Sequence, residues 1–178
     1  YAQMWRIAYP KPFEQMVRQW SDRRGLAASL VWGLMREESG FAPEVGSWAG
    51  AVGLMQLMPD TAQTMARRLA TSGEQIDVPE RSDLTNPTVN VQIGTGYLAR
   101  LSDDLDAHPA LMVAGYNAGL GNVSRWLDAR GDQPLDLWVE DIPYGQTRRY
   151  VKRVLASYFA YTWLSGQAGS VPAIRMEL

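Results

Sequence analysis

The chain has 178 residues, with one histidine, no cysteine, two lysines, fifteen arginines and a formal net charge of -2. Without cysteine there is no thiol nucleophile, disulfide framework or thiolate zinc site, and a single histidine rules out an HExxH zinc helix. Catalysis is therefore expected to rest on carboxylates, hydroxyls, amides or arginines, since a Ser-His-Asp triad would have to use His108, which sits between Ala107 and Pro109 in a predicted loop. The charge balance gives no electrostatic footprint for nucleic acid. The length fits one domain with a real core, and an apolar content of 46% marks the chain as globular. The longest nearly apolar run, Leu26 to Met35, falls short of the roughly 20 residues of a membrane span. Seven Trp and eight Tyr against three Phe supply flat apolar faces with polar handles, which suits a wet groove. The chain opens on Tyr1 with no signal peptide, so a mature form or a fragment is expected.

The pattern is helical nearly throughout, with no internal repeat. Phe13, Met16, Val17 and Trp20 recur at helical spacing, with Pro12 in the first turn and Gly25 as the stop. A second helix spans Ala27 to Ser39 on the stripe Leu30, Val31, Leu34 and Met35, and Gly40 and Pro43 end it. A glycine-rich stretch follows from Gly46 to Gly53; Met55 to Met58 reads as either a short strand or a helix start. Asp60 is the expected cap of a helix over Thr61 to Ala70. Thr71 to Leu84 reads as a loop, and Asn86-Pro87 opens a long helix striped by Val89, Ile93, Tyr97, Leu98 and Leu101. After the His108-Pro109 break come helices over Ala110 to Asn117 and Asn122 to Ala129, then one over Thr147 to Leu164. The expected class is mainly α, with at most a very small β element.

Four places carry chemistry. Leu30, Leu34 and Glu38 stand four residues apart, so a carboxylate extends the apolar stripe at its C-terminal end, while Glu37 lies on another face. A glutamate near a helix C-terminus is disfavoured by the dipole, and partial burial raises its pKa, the condition of a proton donor near neutral pH. The plain alternative is an exposed or paired glutamate. In Gly53-Leu54-Met55-Gln56-Leu57-Met58-Pro59, the glycine permits close backbone approach and Gln56 offers a donor and an acceptor, although Met55 and Met58 also suit core filling. Tyr116-Asn117-Ala118-Gly119 suits a helix end. In Ile142-Pro143-Tyr144 through Tyr150, Thr147 is a candidate cap and Tyr150 a candidate core residue.

Together, Arg36-Glu37-Glu38-Ser39, Gly53 to Pro59, Asp83/Asn86-Pro87 through Asn90, Gly94 and Tyr97-Leu98, Gly115 to Gly119, and Ile142-Pro143-Tyr144 through Thr147-Arg148-Tyr150-Val151 resemble the catalytic domain of soluble lytic transglycosylases. The resemblance runs from Ala8-Tyr9-Pro10 to about Gly166. It implies a lysozyme-like, goose-type helical domain with a glycan-binding groove. The implied activity cleaves peptidoglycan between N-acetylmuramic acid and N-acetylglucosamine without water, leaving 1,6-anhydro-muramoyl ends. Glu38 falls on the lone acid/base position; Ser39, Ser47, Gln56, Met58, Tyr116 and Asn117 fall on positions lining the groove; Tyr150 falls on a tyrosine near the carboxyl.

Two departures stand out. Gln146 replaces the family's common glutamate and can hydrogen-bond a sugar or peptide but carries no charge; Leu120 replaces a frequent proline. The resemblance also implies no metal or cofactor, glycan strands as the partner with no nucleic acid, a monomer, and a periplasmic or envelope location in a bacterium. It divides the chain into a linker remnant over 1–12, a catalytic domain over 13–166 and a tail over 167–178. The alternatives are a muramidase of lysozyme type using water, a non-catalytic peptidoglycan-binding module and a plain helical interaction domain.

Overall fold

A computed structural model describes residues 2–166; the expected tail over 167–178 lies outside them. The elements in order are α1 (Ala2–Ala8), α2 (Glu14–Arg24), α3 (Ala28–Ser39), α4 (Pro59–Thr71), a 3-10 turn (Arg81–Thr85), α5 (Pro87–Asp104), α6 (Pro109–Ala118), α7 (Leu120–Arg130), α8 (Leu135–Glu140) and α9 (Gly145–Leu164). Extended pairing among the described residues is confined to two isolated antiparallel bridges, Gly46 with Val52 and Val52 with Leu57. The fold is mainly α, as the periodicity predicts.

Helix ends follow local chemistry. Gly25 and Gly40 stop α2 and α3 in the left-handed region at φ 65 and 56, which a residue without Cβ adopts freely. The Asn86 side chain accepts from the Thr88 amide and opens α5, with Pro87 in its first turn. Other ends differ from expectation. Helix α2 starts after Pro12, with Phe13 at its cap. Met58 rather than Asp60 caps α4, because Pro59 takes the first helical position and leaves Asp60 inside the first turn. Met55 to Met58 is neither a strand nor a helix start but the closing arm of a compact turn, in which the Val52 and Leu57 amides and carbonyls bond each other at 3.0 Å. The expected loop after Thr71 contains the 3-10 turn, built on a reciprocal capping box between Glu80 and Asp83. Tyr144, not Thr147, caps α9, which starts at Gly145. His108 lies in the break between α5 and α6, as expected, where it caps α6 and is 4% exposed.

The centre of the molecule is the seam between α3 and α9. It is close because Gly33 faces α9: a Cβ there would lie 3.1 Å from the Tyr158 amide and the Val154 carbonyl. Trp32, Leu34, Met35, Trp138, Val151, Val154 and Tyr161 belong to the main core. A second cluster of Val52, Leu57, Ala62, Met65, Ala66, Leu84 and Ile93 lies under the 46–57 segment, and Tyr97 and Tyr116 pack against both clusters. The aromatic excess is thus largely structural. Trp20, Trp32 and Trp138 are core residues, whereas Trp48 is fully exposed. Helix α1 lies on α9, with Trp5 edge-on to Trp163 and Tyr9 edge-on to Tyr161.

Candidate active site

Glu38 is the next-to-last residue of α3. Its carboxylate is half-buried, and the Tyr150 hydroxyl of α9 donates to Oε1 at 2.5 Å. Burial pushes the Glu38 pKa up to about 7; the Tyr150 hydrogen bond opposes the rise and the Glu37 charge adds to it. Among the described residues no cation pairs directly with the Glu38 carboxyl. Tyr150 is itself 4% exposed, and burial together with the Glu38 charge holds its pKa well above the usual phenol value. Tyr116 of α6 also feels the Glu38 charge. Its hydroxyl donates to the Met55 carbonyl at 2.9 Å, and burial and the Glu38 charge raise its pKa as well. Both phenols thus remain hydrogen-bond donors near neutral pH.

The remaining expected site residues divide by what they touch. Ser39 directs its hydroxyl to the Leu54 carbonyl at 2.8 Å and the Met35 carbonyl at 3.1 Å, and accepts from the Phe41 amide, so it ties the end of α3 to the 46–57 segment. Ser47 accepts from the Ala51 amide at 3.0 Å within that segment. Gln56, at φ 46, donates its side-chain amide to the carbonyls of Val45 and Gly53 at 3.0 Å each. Asn117 accepts from the Thr147 hydroxyl at 2.8 Å and joins the end of α6 to the start of α9. Met58 and Gln146 are exposed. Glu38, Tyr150 and Tyr116 are therefore the electrostatically coupled group of this region. Ser39, Ser47 and Gln56 hold the shape of the adjacent wall, and Met58 and Gln146 offer side chains to solvent.

Sequence reasoning assigned no role to Asn90, which anchors that wall from α5. It donates to the carbonyls of Val52 at 2.9 Å and Leu84 at 2.8 Å and accepts from the Met55 amide at 2.8 Å, while wholly buried. The available signal was an Asn in a helix interior, where it is a poor former. Gly53 is obligatory beside it: a Cβ would lie 2.2 Å from the Leu84 carbonyl and 2.3 Å from Asn90 Nδ2. The ion pair of Glu37 with Arg153 was also missed, because its partners are more than a hundred residues apart. A cavity of about 740 Å³ lies away from this cluster, lined by residues that include Glu74, Asp77, Asp83 and Gln92.

Residues 15–139 match the family model described as the transglycosylase SLT domain. The soluble lytic murein transglycosylase of Escherichia coli K12 is 33% identical over 156 residues, covering 86% of this chain and 24% of the relative. The chain thus spans about a quarter of that relative's length. Among solved structures, an inactive variant of the lytic transglycosylase Slt from Pseudomonas aeruginosa aligns with a TM-score of 0.83 at 32% identity, over 90% of this chain and 25% of the other. The 70 kDa soluble lytic transglycosylase of Escherichia coli gives 0.84 at 31%, over 91% and 26%.

Proposed function

The chain belongs to the transglycosylase SLT domain family, and from that premise we propose that it is a peptidoglycan lytic transglycosylase, with residues 13–166 as its catalytic unit and 1–12 as a connecting segment. It cleaves the β-1,4 bond between N-acetylmuramic acid and N-acetylglucosamine and leaves a 1,6-anhydro-muramoyl end. The observation that carries this reading is the carboxyl of Glu38, raised to about 7 by burial and bound by a phenol rather than by a cation.

Glycosidases ordinarily place two carboxyl groups about the bond, whereas a single residue serves both roles here. Protonated Glu38 gives its proton to the glycosidic oxygen as the bond from C1 to that oxygen breaks. Charge left on C1 is shared with the carbonyl oxygen of the substrate's N-acetyl group. The Glu38 carboxylate then takes the proton of the muramic acid C6 hydroxyl as its oxygen bonds C1, which restores the starting acid without water. Tyr150, already donating to Oε1, stabilises the carboxylate between the two transfers and leaves Oε2 to carry the proton. Tyr116, whose hydroxyl donates to the Met55 carbonyl, helps to orient the N-acetyl group. Ser39, Ser47, Gln56 and Asn117 shape a glycan groove whose edges include Met58 and Gln146. The partner is the glycan strand, with the protein acting as a monomer in the bacterial envelope and needing no metal or cofactor. No helix among the described residues is long and apolar enough to cross a membrane.

The decisive experiment digests intact sacculi with wild type and Glu38→Gln and analyses the products by mass spectrometry. Wild type releases muropeptides lighter by one water than those with reducing ends. Glu38→Gln loses about 100- to 10,000-fold in turnover. Reducing ends from wild type make the enzyme a muramidase, and a near-normal rate in the variant removes Glu38 from the chemistry.

A further inference from the structure

Two cross-links join the C-terminal turn of α3 to α9. Tyr150 donates to Glu38, and one turn further along α9 the Arg153 Nε donates to Glu37 Oε2 at 2.5 Å. Glu37 and Glu38 are consecutive on α3, and Tyr150 and Arg153 lie one turn apart on one face of α9, so both links run between these two helices. The spacing of that seam is fixed by Gly33 against Val154 and Tyr158. The Glu37 side chain is 16% exposed and that of Arg153 56%.

Two adjacent carboxylates repel, and the arrangement separates and balances them. We propose that Arg153 is a positioning residue for Glu38 acting through Glu37: by pinning and neutralising the neighbouring carboxylate it sets the charge that Glu38 meets when its own proton leaves. The proposal rests on Glu38 as the acid. The ionisable groups that bear on Glu38 are Tyr150 from α9, Tyr116 from α6 and Glu37 on its own helix. Burial holds both phenols protonated, so the charge beside Glu38 is that of the Glu37–Arg153 ion pair. A full charge within a side chain's reach, partly screened by solvent, moves a carboxyl pKa by about half a pH unit.

The test is a carboxyl-carbon NMR titration of Glu38 in the whole chain, paired with the pH profile of kcat/KM on sacculi. Arg153→Gln leaves Glu37 unbalanced and moves the Glu38 titration up by about half a pH unit. Glu37→Gln leaves the Arg153 charge unbalanced and moves it down by a similar amount. The double variant and Arg153→Lys return close to wild type. A loss of structure alone would move both single variants in the same direction, so opposite signs mark the charge relation. The alkaline limb of kcat/KM follows the same order, and raising salt to 1 M shrinks the differences. Shifts of the same sign, or none beyond measurement error, overturn the proposal. Opposite shifts in the titration with an unmoved kinetic profile support the charge relation and instead remove Glu38 as the acid.

Discussion

Glu38 is half-buried and the Glu74 side chain almost wholly so, yet their pKa values move in opposite directions. Burial raises both. At Glu74 the side chain is 6% exposed, but Arg24 grips it in a two-pronged ion pair and Gln92 adds a hydrogen bond, so its pKa falls below the usual carboxylate value. At Glu38 the partner is a neutral phenol, and burial prevails. The difference teaches that depth alone does not make an acid. A cation paired directly to the carboxyl, as Arg24 is to Glu74, is what Glu38 lacks among the described residues.

The two carboxyls therefore contribute to stability with opposite pH slopes. Glu74, with a lowered folded pKa, stabilises above the unfolded value and loses that contribution as pH falls through the folded one. Glu38, with a raised folded pKa, contributes fully below the unfolded value of 4.5 and loses it as pH rises through about 7. The largest expected effect comes from breaking the first arrangement. Arg24→Met leaves Glu74 buried and unpaired and costs about 3 kcal/mol in urea unfolding at pH 7; a cost near zero would show that water from the adjoining cavity solvates Glu74 unaided. A smaller effect comes from neutralising the second. Glu38→Gln is more stable than wild type at pH 8 by about 1–2 kcal/mol, after allowing for its half-exposed position, and the advantage disappears by pH 4. Equal stability at both pH values would mean that Glu38 is not strained by its site. The smallest change is Tyr150→Phe. Its loss removes the one contact that lowers the Glu38 pKa, so the alkaline limb of the rate profile moves upward while kcat falls about tenfold, roughly the worth of one hydrogen bond to a charged group. A downward move of that limb would reverse the assigned role of the hydroxyl.

Much of this site is legible in the sequence where a single residue carries its own signal. Gly40 stops α3 just after the carboxylate, Asn86-Pro87 opens α5, and the stripe of Leu30 and Leu34 points to Glu38. What was not legible depends on partners distant in the chain. Thr147 looks like a cap by position, yet α9 starts at Gly145 and the hydroxyl goes to Asn117 on α6. Helix α8 is six residues long, too short to show a period, and is anchored instead by Trp138, which meets Trp126 of α7 edge-on. Ser39 and Gln56 stand where a resemblance alone suggests sugar contacts, but the hydrogen bonds of the Ser39 hydroxyl and the Gln56 side-chain amide are made within the protein. Their placement follows from the irregular backbone of the 46–57 segment, whose carbonyls lack regular strand partners and recruit side chains in their place.

The wall built by that segment has almost no secondary structure, yet Asn90 binds it at Val52 and Met55 from the middle of α5. A loop held this way is not an independent opening unit. For the Met55 amide to meet solvent, the buried Asn90 side chain must let go, and that leaves its amide and carbonyl without partners inside the core. The wall and α5 are therefore expected to exchange as one cooperative unit in native-state hydrogen exchange. An irregular strip of chain beside Glu38 is thus tied into the core as a helix is, so a ligand in the proposed groove would meet a preformed surface there.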